Sequence, residues 1–315
     1  MMTETDIAER DPHPPIARLV RVVKRFGGLI ALDDVSLMVR PGERLALVGH
    51  NGSGKSTMMK LLLGFLHPDG GAVEVMGRIP DHPNGARMRG RLAYLPERVA
   101  FDPQMTGREL LVFYSRLKGV PTDHRTIDKL LAEVGLQAAA DRRIYGYSKG
   151  MQQRLGIAQA LIGDADLYLF DEPTTGLDPI ARRHFFRLVD RLREKGAAVI
   201  IASHVLAELE SVADRVAMIS NGRLFAVGTL ADLRAESGLA RRLVLLVAPG
   251  ALLRVERVFA GIAREMRVTG GERLEILFDD RARQAVLRAL AGLGAEDVRD
   301  FSFHAPGLDD LYAHL

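Results

Sequence analysis

The sequence predicts an α/β fold, with a central parallel sheet, a helical insertion and a small α+β domain at the C-terminus. Three observations predict it. The apolar run Leu45-Ala46-Leu47-Val48 passes through a glycine-rich turn, Gly49 to Thr57, into helix-compatible Met58–Leu63. Leu167–Phe170 is continuously apolar, the mark of a strand buried on both faces, and ends in the acids Asp171 and Glu172. Between these two runs, residues 97–163 change to helical periodicity.

The elements follow in order. Ile16–Val23 reads as an edge strand, turned back by Lys24-Arg25-Phe26-Gly27-Gly28, and Asp34–Val39 as a strand with one buried face. Pro41-Gly42 is a turn before the Leu45–Val48 strand. Ala72–Met76 and Arg91–Leu95 are further strands. In the insertion, Thr106-x-x-Glu109 is a capping box for a helix carrying Leu110, Leu111, Tyr114 and Leu117. Ile127, Leu130, Leu131 and Val134 form the next helical stripe, and Ser148 caps a third helix. The α/β rhythm resumes with a helix over 181–195, a strand at Val199–Ala202 and a helix over 206–213. Val216–Ile219 and Leu224–Val227 form a hairpin across Asn221-Gly222. A short helix over 229–235 closes this unit. Beyond it, Leu243–Val247, the alternating Leu274, Ile276 and Phe278, and Val298–Phe303 read as strands. Val286, Leu290 and Leu293 mark a helix, and 308–315 a terminal one. The domains are expected as a frayed tail at 1–15, a main domain at 16–237 with its helical subdomain at about 97–163, and an accessory domain at 238–315.

Composition narrows the function classes. The net charge is only +3, with no dense basic tract, so nucleic acid is not an expected partner. There are no cysteines, which excludes disulfides and thiolate metal sites. No apolar run approaches the roughly 20 residues of a membrane helix. The N-terminus has no hydrophobic core of a secretory signal. A role in transport therefore requires another polypeptide to cross the membrane.

The glycine-rich turn carries the chemistry. Gly49-His50-Asn51-Gly52-Ser53-Gly54-Lys55-Ser56-Thr57 satisfies G-x-x-x-x-G-K-[ST] in a strand–turn–helix context. Its glycines let backbone N–H groups face a phosphate, and the helix N-terminus adds partial positive charge. Lys55 would reach the β- and γ-phosphates, and Ser56 would offer its hydroxyl to Mg²⁺. Downstream, Asp171 would hold the Mg²⁺ shell and Glu172 would orient and deprotonate the attacking water. The blander readings are a chance turn and a surface acid capping a helix. Ser148 and the Gly150 amide, at another helix N-terminus, make a second anion site.

Tyr147-Ser148-Lys149-Gly150-Met151-Gln152-Gln153-Arg154 resembles the signature of the ABC ATPases, usually Leu-Ser-Gly-Gly-Gln. The resemblance continues through Gly176-Leu177-Asp178 and Ser203-His204, in order, across residues 16–235. It implies a P-loop NTPase of ABC-ATPase type that binds and hydrolyses ATP with Mg²⁺. It also implies roles. Phe26 would stack on adenine; its alternative is a core aromatic. Gly49, Asn51, Gly52, Ser53, Gly54, Lys55, Ser56 and Thr57 would cradle the phosphates. Ser148 and Gly150 would contact the γ-phosphate of ATP on an opposing subunit, so two sites form only in a head-to-tail homodimer. Asp178 would lie at that seam. His204 would contact the γ-phosphate; its alternative is a capping histidine.

Three positions depart from the family pattern. Glu97 replaces the usual Gln and could still meet Mg²⁺ or water, but a carboxylate donates no hydrogen bond. Lys149 replaces a glycine and is expected to point to water. Met151 replaces a glutamine and makes no polar contact.

Within the family, Gly49-His50-Asn51-Gly52, the 94–99 run around Glu97, Arg116–Gly119, Tyr147–Met151, Ala202–Leu206 and the ending Gly307–Tyr312 resemble the NosF type, the maturation ATPases of nitrous-oxide reductase. His50 thereby joins the candidate nucleotide-loop residues. This resemblance implies a cytoplasmic ATPase at the inner membrane, with an integral membrane subunit of NosY type and a periplasmic NosD-like partner. Together they would supply sulfur or copper to a copper–sulfur centre, and this subunit itself is expected to bind no copper. Residues near Arg98–Arg116 are the expected contact with the membrane subunit. The alternatives are the ATPase of a drug, lipid or polysaccharide exporter, a soluble ABC protein acting on ribosome or DNA, and a P-loop module without hydrolysis.

Overall fold

The computed structural model describes residues 14–82, 86–120 and 122–314. Most of the expected N-terminal tail therefore lies outside the described residues. The chain divides into two compact units after Val227, ten residues earlier than the expected boundary at 237. The helix α7 introduced below, which the sequence assigns to the main domain, belongs to the second unit.

The first unit contains two sheets. β1 (Ala17–Phe26), β2 (Leu29–Val39) and β4 (Gly70–Val75) form an antiparallel sheet in the order β2-β1-β4. β1 is thus the centre of its sheet, not an edge, and it extends through Lys24-Arg25-Phe26, leaving only Gly27-Gly28 to turn. Its alternation is broken by register shifts around Val22, where Arg21 takes φ 49°; such a bulge turns both faces partly outward and gives the run its edge-like look. Six strands form the second sheet in the order β5-β6-β7-β3-β8-β9. They are β3 (Arg44–Val48), β5 (Leu92–Leu95), β6 (Leu167–Asp171), β7 (Ala198–Ser203), β8 (Arg215–Ser220) and β9 (Arg223–Gly228). β5, β6, β7, β3 and β8 are parallel. β8 turns into β9 through Asn221 and Gly222, at φ 48° and 77°, the two positive angles a tight hairpin turn requires.

α1 (Lys55–Leu62) leaves the glycine-rich turn, and its Met58, Met59, Leu61 and Leu62 enter the core. After the single turn α2 (Ala86–Arg89), α3 (Gly107–Leu117) begins at the expected capping box of Thr106 and Glu109, a device that stabilises a helix by about 1 kcal/mol. α4 (His124–Glu133) and α5 (Lys149–Ala160) complete the helical insertion, and α6 (Pro179–Glu194) follows β6. The helix expected over 206–213 is absent. Leu206–Glu208 is a single 3-10 turn. Leu206, Leu209 and Val212 are buried at a spacing of three, which suits a 3-10 turn and not a 3.6-residue period.

The second unit contains α7 (Leu230–Ser237), β10 (Arg241–Val247), α8 (Leu252–Phe259), β11 (Glu265–Thr269), β12 (Arg273–Phe278), α9 (Arg283–Ala291), β13 (Val298–His304) and α10 (Leu308–His314). Its antiparallel sheet has the order β11-β12-β10-β13. From β10 to β13 this is a β-α-β-β-α-β arrangement, the split βαβ or ferredoxin-like motif. Leu243, Leu245, Leu274, Ile276 and Phe278 face Val255, Phe259 and Val286 across its core. α8 and β11 have no counterpart in the sequence reading.

Candidate functional site

Each site residue is placed by an element end. The phosphate loop joins β3 to α1. Gly52 and Gly54 take φ 82° and 114°, and a Cβ on Gly54 would lie 2.8 Å from the Ala31 carbonyl oxygen. Only glycine fits there. Gly222 N donates to the Ser53 carbonyl at 3.0 Å, so the β8–β9 turn braces the loop. The Ser53 hydroxyl is fully buried without a hydrogen-bond partner. Lys55 is buried, and its Nζ donates to the Gly49 carbonyl at 2.6 Å and the His50 carbonyl at 3.1 Å. Burial lowers the Lys55 pKa, an effect opposed by the charges of Glu172, Asp171 and Glu97. These are the properties of a cradle built for an anion: an orphaned donor, and an ammonium held by carbonyls that a phosphate can replace. His50 is exposed, with Nδ1 2.8 Å from the Asn51 carbonyl.

β6 is parallel to β7 and delivers the acids beside the loop. Asp171 is buried and held by the Ser56 hydroxyl. Burial raises its pKa, the Ser56 hydrogen bond opposes this, and the charges of Glu172 and Glu97 add to the rise. Glu172 takes φ 50°, a left-handed backbone rare for a side chain of its size. Three contacts hold that turn: Glu172 N to the Ala202 carbonyl at 2.9 Å, and Gln153 Nε2 to the Glu172 and Pro173 carbonyls at 3.3 and 3.1 Å. Glu172 Oε1 is buried without a hydrogen-bond partner, 4.0 Å from Lys55 Nζ. Its Oε2 meets His204 Nδ1 at 2.8 Å, and the Ser203 hydroxyl stands 3.4 Å away. His204 is half exposed at the end of β7.

Lys55, Ser56, Glu97, Asp171, Glu172 and His204 thus share one locality. Mg²⁺ fits it on donor chemistry. The Ser56 hydroxyl and the Asp171 and Glu97 carboxylates are hard oxygens, and the Asp171 charge is poorly compensated. Among the described residues no cluster of three His, Cys, Asp or Glu side chains exists to cage a metal alone. Mg²⁺ is accustomed to such sites, because it keeps several waters and shares phosphate oxygens.

The remaining candidates stand at other positions. Phe26 is exposed at the end of β1, with Lys24 Nζ 5.5 Å from its ring centroid. Ser148 caps α5 and accepts from Met151 N at 3.2 Å. Gly150 is pressed on the 176 segment, where an added Cβ would lie 2.7 Å from the Gly176 carbonyl oxygen. The Lys149 alkyl stem packs over Gly176, and Lys149 is not among the residues at positive φ, so its departure from glycine costs no backbone strain. Asp178 caps α6, accepting from Ile180 N at 2.9 Å and Ala181 N at 2.8 Å, with Pro179 at the first helical position. These backbone bonds hold its pKa below the usual carboxylate value. Sequence reasoning passed over Gln153, whose only signal is a buried amide on the inward face of α5.

A strand–loop–helix cradle with paired acids at the end of β6, one strand away across β7, defines a P-loop nucleotide hydrolase. The chain belongs to the ABC transporter ATP-binding proteins: the "ABC transporter" family profile matches residues 32–175. It is 37% identical over 210 residues to a Nod factor export ATP-binding protein I of Burkholderia lata, covering 66% of this chain and 68% of the relative. It is 34% identical to the daunorubicin resistance ATP-binding protein DrrA3 of Streptomyces coeruleorubidus over 303 residues, 93% of each. A solved ATP-binding subunit of an ABC transporter superposes with a TM-score of 0.66 at 32% identity, covering 71% of this chain and 93% of that one. The protein is an ATP-binding and ATP-hydrolysing subunit of an ABC transporter.

Proposed function

We propose that two copies of this chain close head to tail on ATP and drive a separate membrane subunit of an exporter for an amphipathic small molecule. The observation that carries the mechanism is the Lys55–Glu172–His204 cluster. Phosphate oxygens displace the Gly49 and His50 carbonyls from the Lys55 ammonium. Glu172 orients water and takes its proton as the water oxygen bonds to the γ-phosphorus. The bond from that phosphorus to the bridging oxygen breaks and ADP leaves. His204 donates to the γ-phosphate. Ser56, Asp171 and Glu97 would hold Mg²⁺, which when bound neutralises charge developing on the phosphate oxygens. Phe26 stacks on the adenine, and the partner's Ser148 and Gly150 complete each site across a seam that contains Asp178.

The membrane subunit has a surface suited to it. A groove of about 580 Å³ is lined by Phe65, Tyr94, Tyr114, Leu117 and Ile162. Phe65 and Leu117 are mostly exposed, and Phe65 meets Tyr94 edge to face at 6.5 Å. Exposed aromatics around an apolar groove are what a partner's helix needs as anchors. The groove takes in α3 and the residues just before Glu97, close to the contact expected at 98–116. Among the described residues no helix is long and apolar enough to cross a membrane; the proposed location is the cytoplasmic face of the inner membrane, through that subunit.

The export reading is supported by the export and resistance relatives, one of which matches through the second unit. A second reading, maturation of nitrous-oxide reductase, is favoured by His50, Glu97 and the Gly307–Tyr312 ending. Vesicles holding the chain and its membrane subunit distinguish the two. Export predicts ATP-dependent accumulation of daunorubicin, read by fluorescence quenching and absent in Glu172→Gln. Intact ATPase activity without accumulation, joined to loss of the copper–sulfur absorbance of nitrous-oxide reductase when the chain is deleted, would replace export by maturation.

A further inference from the structure

α6 and the 3-10 turn Leu206–Glu208 are joined by an ion pair that the mechanism above does not use. Arg182 Nη1 donates to Glu208 Oε1. Arg182 Nε and Glu208 Oε2 are both buried and have no hydrogen-bond partner. A guanidinium and a carboxylate ordinarily pair through two parallel bonds. Here a single Nη1 contact replaces the side-on fork of Nε and Nη2, and the Nε donor and Oε2 acceptor that such a fork would use are out of water and unmatched.

The two residues stand one turn beyond two site residues. Arg182 N donates to the Asp178 carbonyl at 2.9 Å, so Arg182 moves with the Asp178 cap. Its positive charge in the first turn of α6 opposes the helix dipole, which leaves the partner Glu208 as the reason for a cation there. Glu208 follows His204 by four residues. Between them Leu206 is buried and Val205 N is held by the Ser203 hydroxyl at 3.0 Å. His204 itself bonds Glu172, so in this state it is directed at the acid and not at a phosphate.

We propose that Arg182 and Glu208 are positioning residues that couple Asp178 to His204, single-pronged in this state and double-pronged when the dimer closes. Motion of Asp178 at the seam carries the first turn of α6 with it. The guanidinium then turns side-on, Nε and Nη2 donating to the Glu208 carboxylate, and the turn behind His204 shifts. His204 leaves Glu172, which frees the acid for water and the imidazole for the γ-phosphate. The proposal rests on the head-to-tail dimer reading.

The test uses the full-length chain and compares wild type, Arg182→Lys, Glu208→Gln and the double variant. Lysine keeps the charge but lacks the fork, and glutamine keeps the volume. For each, ATP kcat, KM, the Hill coefficient and the melting temperature are measured. Each single variant is expected to lose about tenfold in kcat, a loss typical of small misplacements. KM should stay within about twofold and the Hill coefficient should fall toward one. The double variant should be no slower than the slower single, since one strut is broken once. Unchanged kcat in both single variants overturns the strut. So does a multiplicative loss in the double variant, or a loss that tracks a lowered melting temperature, because either means ordinary packing. An inactive wild type counts against the dimer reading itself. An active, cooperative wild type with unaffected variants counts against the strut alone.

Discussion

At the scale of single residues, the site is paid for in stability. Asp171 is buried among acids, and its folded pKa lies above the ordinary 3.8. Between those values the native chain binds more protons than the unfolded chain, so stability falls as pH rises through that window. The cost is fully present once the pH lies above the folded value. Asp171→Asn removes the charge and keeps a carbonyl for the Ser56 hydroxyl. Nucleotide-free Asp171→Asn should therefore melt a few degrees above wild type at pH 7, with the difference vanishing below about pH 4. Its turnover should fall about a hundredfold or more. Differential scanning fluorimetry across pH checks the first outcome, and a lower melting temperature at pH 7 contradicts it. Glu172 shows the same trade through its left-handed backbone. The place of both acids beside the phosphate loop was legible in the sequence, in an apolar strand that ends in Asp-Glu behind such a loop. Gln153 and the Arg182–Glu208 pair were not. Their effects depend on which carbonyl or charge a tertiary contact brings, and a lone polar residue on a helix carries no mark of it.

At the scale of elements, loops and caps were read more faithfully than runs of apolar residues. The phosphate loop, the Thr106 capping box and the Asn221-Gly222 hairpin each depend on local chemistry, and each appears as expected. Leu206–Ala213 was misread because its spacing of three passes for a helix when burial is unknown. A bulge at Arg21 disturbs the alternation of β1 and makes this central strand look like an edge in sequence. The exposed groove residues are elements of a different kind, since folding alone does not require them. Phe65 is 65% exposed, so Phe65→Asp should leave folding and the basal ATPase rate within about twofold. Stimulation of that rate by the membrane subunit should be lost, as expected when an aromatic anchor is removed. Comparing ATPase rates with and without the membrane subunit in vesicles is the check; full stimulation in Phe65→Asp would move the docking site elsewhere.

At the scale of the whole molecule, the change in composition expected to mark the boundary at 237 lies ten residues beyond the division into two compact units after Val227. α7 begins at the Thr229 capping box with Asp232 and reads as a continuation of the α/β rhythm, although it belongs to the second unit. β11 escaped notice because it is an exposed edge strand with only Met266 turned partly inward. In the proposed dimer each phosphate loop is half a site, completed by a second copy through Ser148 and Gly150. Light scattering after size exclusion tests it most directly, using Glu172→Gln with and without ATP and Mg²⁺. The expected result is one 34.6 kDa chain per particle without nucleotide, two with ATP, and a return to one when Ser148→Arg is added. A single-chain particle at saturating ATP, or a two-chain particle indifferent to both ATP and Ser148→Arg, would contradict it.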